Sequence, residues 1–208
     1  MFFRDFREGK KAMKQFLLLI AIVFLLAATG CSCVTVTEPI GEEPVQIQPK
    51  EWEGLWKLYM SSFDDDEEEV FLVIEVSDSE KGVLKVQGIG RESESVQVYL
   101  RESNGWMFDS YNADNANDVG MCWGRFERKG DRIFIWIPDY DRFSALVKDG
   151  LLPGHFYGVK SDGKFDDKYL ILSGLKPEHM KLIASESKGV LFHWDEPLFM
   201  LRMSDHID

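Results

Sequence analysis

The sequence lacks the motifs and residue spacings that mark common enzymes and metal proteins. It contains no Gly-x-Ser-x-Gly motif, and the Gly88-Ile89-Gly90 run lacks the third glycine of a dinucleotide-binding loop. Its histidines lie far apart, without metal-ligand spacing: His155, His179, His193 and His206. We therefore predict a protein that is not an enzyme and that uses no metal or cofactor. The alternative is a hydrolase of unknown type, which would need a cleft where two carboxylates or the His193 region converge.

Basic residues are also scarce. The chain has 24 Lys and Arg against 36 Asp and Glu, a net charge of −12. The first 30 residues hold five basic and two acidic residues, so residues 31–208 carry −15. A body of this charge repels phosphate backbones and anionic lipids. We expect no nucleic-acid partner, and any contact with a membrane must come from something other than charge.

No apolar run is long enough to span a bilayer, which takes roughly 20 residues. The longest, residues 16–28, has thirteen apolar residues behind a basic stretch, which is typical of a signal-peptide core. We predict a signal peptide over residues 1–30. Met13-Lys14-Gln15 resembles an ordinary signal-peptide start, so Met13 is the candidate true start. An uncleaved N-terminal anchor and an ordinary secretory signal are the alternatives.

The apolar run ends in Ala28-Thr29-Gly30-Cys31, which resembles the lipobox of bacterial lipoprotein precursors. The resemblance implies that Cys31 becomes the mature N-terminus, with diacylglycerol on its sulfur and a fatty acid such as palmitate on its amine. Several acyl chains, at about 0.8 kcal/mol per buried CH₂, anchor a soluble domain stably. Ser32, where an aspartate would retain the protein in the inner membrane, favours an outer-membrane lipoprotein that faces the periplasm. Cleavage before Cys33 is the alternative.

Residues 31–50 contain Pro39, Pro44 and Pro49 and few large apolar side chains. Proline-rich segments are extended at about 3.1 Å per residue, so this stretch predicts a flexible tether that reaches roughly 60 Å from the membrane. The alternation in Val34-Thr35-Val36-Thr37 favours a first strand instead. In an oxidising envelope Cys33 and Cys122 are candidates for a disulfide, although Cys122 also suits a small buried position.

Residues 51–208 show the period-two alternation of antiparallel strands, interrupted by turn signals such as Asn104-Gly105. We predict strands near 54–61, 69–77, 83–90, 95–102, 106–111, 119–128, 132–137, 155–160, 166–173 and 198–203. Short helices are predicted over 141–149 and 177–188. The fold class is mainly β: an up-and-down meander of about eight to ten strands that closes into a barrel, since closure removes exposed edges. A β-sandwich with one or two helices is the alternative.

Glu53-Gly54-Leu55-Trp56 is similar to the Gly-x-Trp that opens the first strand of lipocalins, and Arg202 on the last strand matches an arginine of that family. The resemblance implies a lipocalin-like, calycin-type barrel in which Trp56 fills one end and Arg202 covers it by a cation–π contact. Gly174 departs from the family, which has an arginine at the corresponding place.

Aromatic residues on the predicted strands are candidates for an apolar ligand pocket inside the barrel, although core packing would also account for them: Trp106, Phe108, Trp123, Phe134, Trp136 and Tyr157. The sequence therefore predicts a membrane-anchored cell-envelope lipoprotein whose barrel binds a small hydrophobic ligand such as a lipid or fatty acid. The alternative is a non-enzymatic structural or protein-interaction lipoprotein with a packed barrel.

Overall fold

A computed structural model describes residues 33–59, 70–89, 95–112, 120–161, 164–185, 191–193, 195 and 197–204. The predicted signal peptide and the predicted lipid-carrying Cys31 lie outside these residues. Within them, no helix is both long and apolar enough to cross a membrane.

The described chain forms twelve strands and three helices. The strands are β1 (Cys33–Val36), β2 (Glu43–Pro44), β3 (Gly54–Tyr59), β4 (Val70–Asp78), β5 (Val83–Gly88), β6 (Ser95–Ser103), β7 (Trp106–Tyr111), β8 (Cys122–Lys129), β9 (Arg132–Trp136), β10 (Gly154–Ser161), β11 (Lys164–Leu172) and β12 (Leu198–Ser204). The helices are α1 (Pro49–Trp52), α2 (Tyr140–Lys148) and α3 (Pro177–Ser185).

Eight strands form a closed antiparallel barrel in the order β3-β4-β5-β6-β7-β8-β9-β12, and β12 pairs back onto β3. The meander therefore runs through seven consecutive strands and closes with the last strand of the chain. A two-residue turn joins β6 to β7 through Asn104 and Gly105, whose φ angles of 52° and 78° suit a tight hairpin. The predicted mainly β fold with a closed barrel is confirmed.

Two of the predicted strands lie outside the barrel. Between β9 and β12 the chain makes an excursion through α2, β10, β11 and α3. There β10 and β11 pair with each other and β11 pairs in parallel with β1, which gives a separate three-stranded sheet. A bridge between Val36 and Met121 attaches this sheet to the start of β8.

The prediction of a flexible tether over residues 31–50 is wrong for residues 33–50. Val34, Val36, Ile40 and Ile47 are buried, and β1 pairs with β11 over its whole length. The alternation of valine and threonine lets one face of β1 pack against apolar side chains. The prolines do not interfere because they occupy positions that need no ladder hydrogen bond, such as Pro49 at the first turn of α1. Residues 33–50 are therefore part of the folded body.

The molecule has two hydrophobic cores. One fills part of the barrel and includes Trp56, Phe126 and Ile133. The second includes Phe108, Trp123 and Phe143, and it lies between the outer faces of β7 and β8, the three-stranded sheet, α2 and α3. Because side chains alternate along a strand, β7 and β8 contribute to both cores from opposite faces.

Candidate functional site inside the barrel

The two ends of the barrel differ in how they are filled. In an antiparallel barrel the connections alternate between ends. We use the name barrel mouth for the end of the barrel at which β3, β5, β7 and β9 finish. The opposite end, which we call the closed end, is covered by α1. Trp52 of α1 is buried there and packs edge-on against Phe126, with ring centroids 5.9 Å apart.

The structure brings Trp56 and Arg202 together at the closed end. Trp56 is fully buried, and its ring N–H donates to the Trp52 carbonyl at 2.9 Å. Arg202 pairs with Trp56 across the strands and holds its guanidinium 6.0 Å from the ring centroid. The same guanidinium donates to the carbonyl oxygens of Lys50 and Glu53. These contacts tie α1 to the barrel and close this end.

Toward the mouth the inner face is apolar but only partly buried. The residues concerned are Leu58, Leu72, Val86, Val98 and Ile135, which pack against the edge of the barrel core. Deeper inner positions such as Ile74, Leu84 and Leu100 are buried. The barrel is thus filled from the closed end, and its mouth half presents an apolar surface that is accessible in part.

Asp109 places a carboxyl group in this apolar interior. Its strand neighbours are Leu100 on β6 and Gly124 on β8, so it lies on the inner face of β7. The residue is 7% exposed, and its Oδ1 has no hydrogen-bond partner. A methyl group on Gly124 would lie 3.0 Å from Oδ1, so glycine there makes room for the carboxyl. Burial raises the pKa of Asp109 to about 7, because the charged form loses its hydration.

Tyr111 and Cys122 form a direct cross-strand pair nearer the mouth, and the Tyr111 hydroxyl donates to the Cys122 sulfur. Burial raises the pKa of Cys122 to about 11 and that of Tyr111 well above its ordinary value. Both groups are therefore neutral at physiological pH. Together with Asp109 they form a polar cluster on one side of an apolar barrel.

Cys33 of β1 lies close to this cluster. The negative charge that Cys33 and Cys122 acquire at high pH raises the pKa of both Tyr111 and Tyr169, in addition to burial. Tyr169 is the strand partner of Cys33. Neither cysteine takes part in a disulfide, so the candidate disulfide is not formed in this structure, although both cysteines affect the same tyrosines.

The six aromatic residues expected to line the pocket do not lie on the inner face of the barrel. Phe108 and Trp123 are buried in the second core, and Trp106 and Trp136 pack against it. Phe134 stacks on Trp136 outside the barrel at 6.3 Å, and Tyr157 of β10 is 41% exposed. Each strand alternates, and its inner positions belong instead to residues such as Met107, Phe126 and Ile135. The predicted pocket composition is therefore corrected.

A cleft of about 430 Å³ lies outside the barrel, between residues 36–42, Arg101, residues 172–177 and Met180. Arg101 in its wall donates to the carbonyls of Gly41 at 2.9 Å and Glu42 at 2.7 Å. Glu42 accepts a hydrogen bond from Ser103. The unpartnered carboxyl oxygen of Asp109 lies inside the barrel and not in this cleft.

The described residues bring no catalytic partner side chain to His193, around which the sequence suggested an alternative hydrolase site. His193 is exposed, and its backbone N–H donates to Ile137 at 3.0 Å. Across the described ranges, no three His, Cys, Asp or Glu side chains come together in a way that could hold a metal ion.

Sequence reasoning missed Asp109 because β7 alternates large and small side chains on both faces. The available signal was one acidic residue in register with Met107 and Tyr111.

Comparisons with protein-family models, with curated proteins and with solved structures found no match for this chain.

Proposed function

We propose that this chain is a membrane-anchored cell-envelope lipoprotein whose lipocalin-like barrel binds a small, largely apolar ligand at its mouth. The observation that carries the proposal is the inner face of the mouth half, which is apolar yet only partly buried. Ligand sites of soluble proteins combine such surfaces with a few convergent polar groups. Asp109, Tyr111 and Cys122 are the polar groups available here.

Support for the lipid anchor comes from the lipobox-like residues 28–31 and from the charge of the body. A net charge of −15 over residues 31–208 gives no attraction to anionic lipids, so a covalent lipid would supply the membrane affinity. We propose that the protein lies in the outer membrane of a bacterium and faces the periplasm, because Ser32 stands where an aspartate would retain it in the inner membrane.

Support for a lipocalin-like domain comes from the closed end. Gly54 has a φ of 137°, which only glycine adopts readily, and it packs against the Ser204 carbonyl. The Gly-x-Trp pattern therefore has a local physical reason: glycine allows the close approach, and Trp56 fills the barrel beneath Arg202.

The lipid anchor is tested by metabolic labelling with an alkyne analogue of palmitate in a bacterial host. We expect the wild type to carry the label and to sediment with membranes. Cys31→Ser should lose both properties, whereas Cys33→Ser should keep them. A Cys31→Ser protein that retains label in the membrane fraction would contradict the anchor.

The ligand site is tested on residues 32–208, which contain every described element of the fold, by calorimetric titration with n-octanol. Leu72→Trp fills the mouth half and should abolish binding. Val73→Trp, on the outer face of the same strand, is the matched control and should bind as the wild type does. Native mass spectrometry of this form from its host should also reveal a co-purifying small molecule. Equal binding by the two variants would refute the site.

A second candidate function is a packed-barrel interaction lipoprotein. The observation that favours it is an aromatic strip on the outer face, where Phe199 contacts Phe134 at 5.3 Å and Tyr59 at 5.4 Å between ring centroids. All three are partly or largely exposed. If this strip carries the function, Phe199→Ser should abolish a reproducible crosslink in intact cells, and Leu72→Trp should leave that crosslink unchanged.

A further inference from the structure

We infer that the ligand carries a basic nitrogen that binds the Asp109 carboxylate, which makes it an amphiphilic amine rather than a fatty acid. This inference rests on the proposed ligand site and specifies its chemistry. It starts from a carboxyl group that is 7% exposed and has an oxygen without a hydrogen-bond partner. A buried polar atom without a partner destabilises the structure, more so when it is charged, so a ligand that satisfies it gains affinity.

None of the described groups around Asp109 supplies a positive charge that could pair with its carboxylate. Tyr111 and Cys122 are neutral at physiological pH and hydrogen-bonded to each other, and the nearby Cys33 carries no positive charge. Gly124 opposite contributes no side chain. Arg125, the next residue, lies on the outer face of β8, where its guanidinium stacks over Trp106. Among the described residues, no cation influences the pKa of Asp109.

Electrostatics then select the ligand by charge. An ammonium group would pair with the carboxylate in an environment where Coulomb interactions are weakly screened. A fatty-acid carboxylate would bring a second negative charge to the same place, and one of the two would have to take up a proton. The net charge of −15 over residues 31–208 also raises the local concentration of cations around the molecule.

The apolar half of the ligand follows from the mouth. Leu58, Leu72 and Val98 are partly exposed inner-face residues that an alkyl chain can cover. Burying each CH₂ of such a chain removes apolar surface from water and adds to the affinity. A linear amine with its nitrogen at Asp109 and its chain toward the mouth fits both parts of the surface.

The test is isothermal titration of residues 32–208 at pH 8 with n-octylamine, n-octanol and n-octanoate, which share one chain and differ in head-group charge. We expect octylamine to bind at least tenfold more tightly than octanoate, with octanol between them. Asp109→Asn should lower octylamine affinity about tenfold and leave octanol affinity unchanged, which also shows that the variant is folded. Glu75→Gln removes an exposed carboxylate from the outer face of β4 and should change none of the three affinities.

A pH series separates Asp109 from its neighbours. Lowering the pH from 8 to 6 should weaken octylamine binding in the wild type and in Cys33→Ser, but not in Asp109→Asn. If octanol binds and octylamine binds no more tightly than octanoate, the inference is overturned while the proposed site stands. If none of the three ligands binds, the proposed site itself fails.

Discussion

At the residue scale, Asp109 links the stability of the fold to pH. Burial raises its pKa from 3.8 to about 7, so between these values the folded chain holds a proton that the unfolded chain has released. Stability from this residue is fully present below about pH 4 and falls as the pH rises toward 7. A ligand cation at the carboxylate would offset that loss.

We therefore predict that Asp109→Asn is more stable than the wild type at pH 8 and equally stable at pH 4. At about 1.4 kcal/mol for each pH unit between the two pKa values, the gain at pH 8 is at most about 4 kcal/mol. Urea unfolding at both pH values measures it. Glu75→Gln removes the same charge from an exposed position and should shift stability by under about 0.5 kcal/mol. A gain of the same size at pH 4 and pH 8 would contradict the assignment.

The sequence predicted only in part which residues lie on the inner face of the barrel and which on the outer face. Alternation predicted β4 and β6 well because one face of each strand is apolar. On β7 both faces carry large side chains, so alternation alone did not reveal that Phe108 points outward and Asp109 inward. That distinction depends on a second core, which packs against the outside of the barrel and cannot be read from one strand.

At the element scale, the misassigned segment is β1. Proline content favoured a tether, but Val34 and Val36 gain more from burial against Leu170 and Leu172 than the backbone loses in freedom. A parallel pairing between residues about 136 positions apart gives no local turn signal. The absence of such a signal also explains why β10 and β11 were assigned to the barrel. The sequence indicated the β10–β11 hairpin, but it did not indicate that β11 pairs with β1.

We expect Val36→Ala to lower the free energy of unfolding by about 2 kcal/mol, because it removes two buried methyl groups and leaves a small cavity. Thr37→Ala, one residue further along and exposed, should change it by less than about 0.5 kcal/mol. Guanidinium unfolding of both variants, followed by tryptophan fluorescence, gives the comparison. If residues 33–37 did not pack against the body, both substitutions would leave the free energy of unfolding nearly unchanged.

At the scale of the whole molecule, the start of the fold determines how far the body lies from a membrane. Cys33 lies close enough to the Tyr111–Cys122 pair, near the barrel mouth, for its charged form to raise the pKa of Tyr111. If Cys31 carries the lipid, only Ser32 separates it from β1. The two steps from Cys31 to Cys33 span at most about 7 Å at 3.3–3.6 Å per residue. The proposed anchor thus holds the ligand site close to the bilayer surface, in contrast to the 60 Å tether expected from proline content.

This arrangement predicts strong energy transfer from the tryptophans of the lipidated full chain to dansyl-labelled lipids in zwitterionic vesicles. Inserting twenty Gly and Ser residues between Ser32 and Cys33 adds a mean reach of about 25 Å and should reduce the transfer several-fold. The same insertion after Asp208 should leave it unchanged, since the anchor stays joined to β1. Both variants must carry labelled palmitate, so that a lost anchor is not mistaken for a longer one. Equal transfer from the two insertions would mean that the body lies far from the membrane even with its lipid two residues from the first strand.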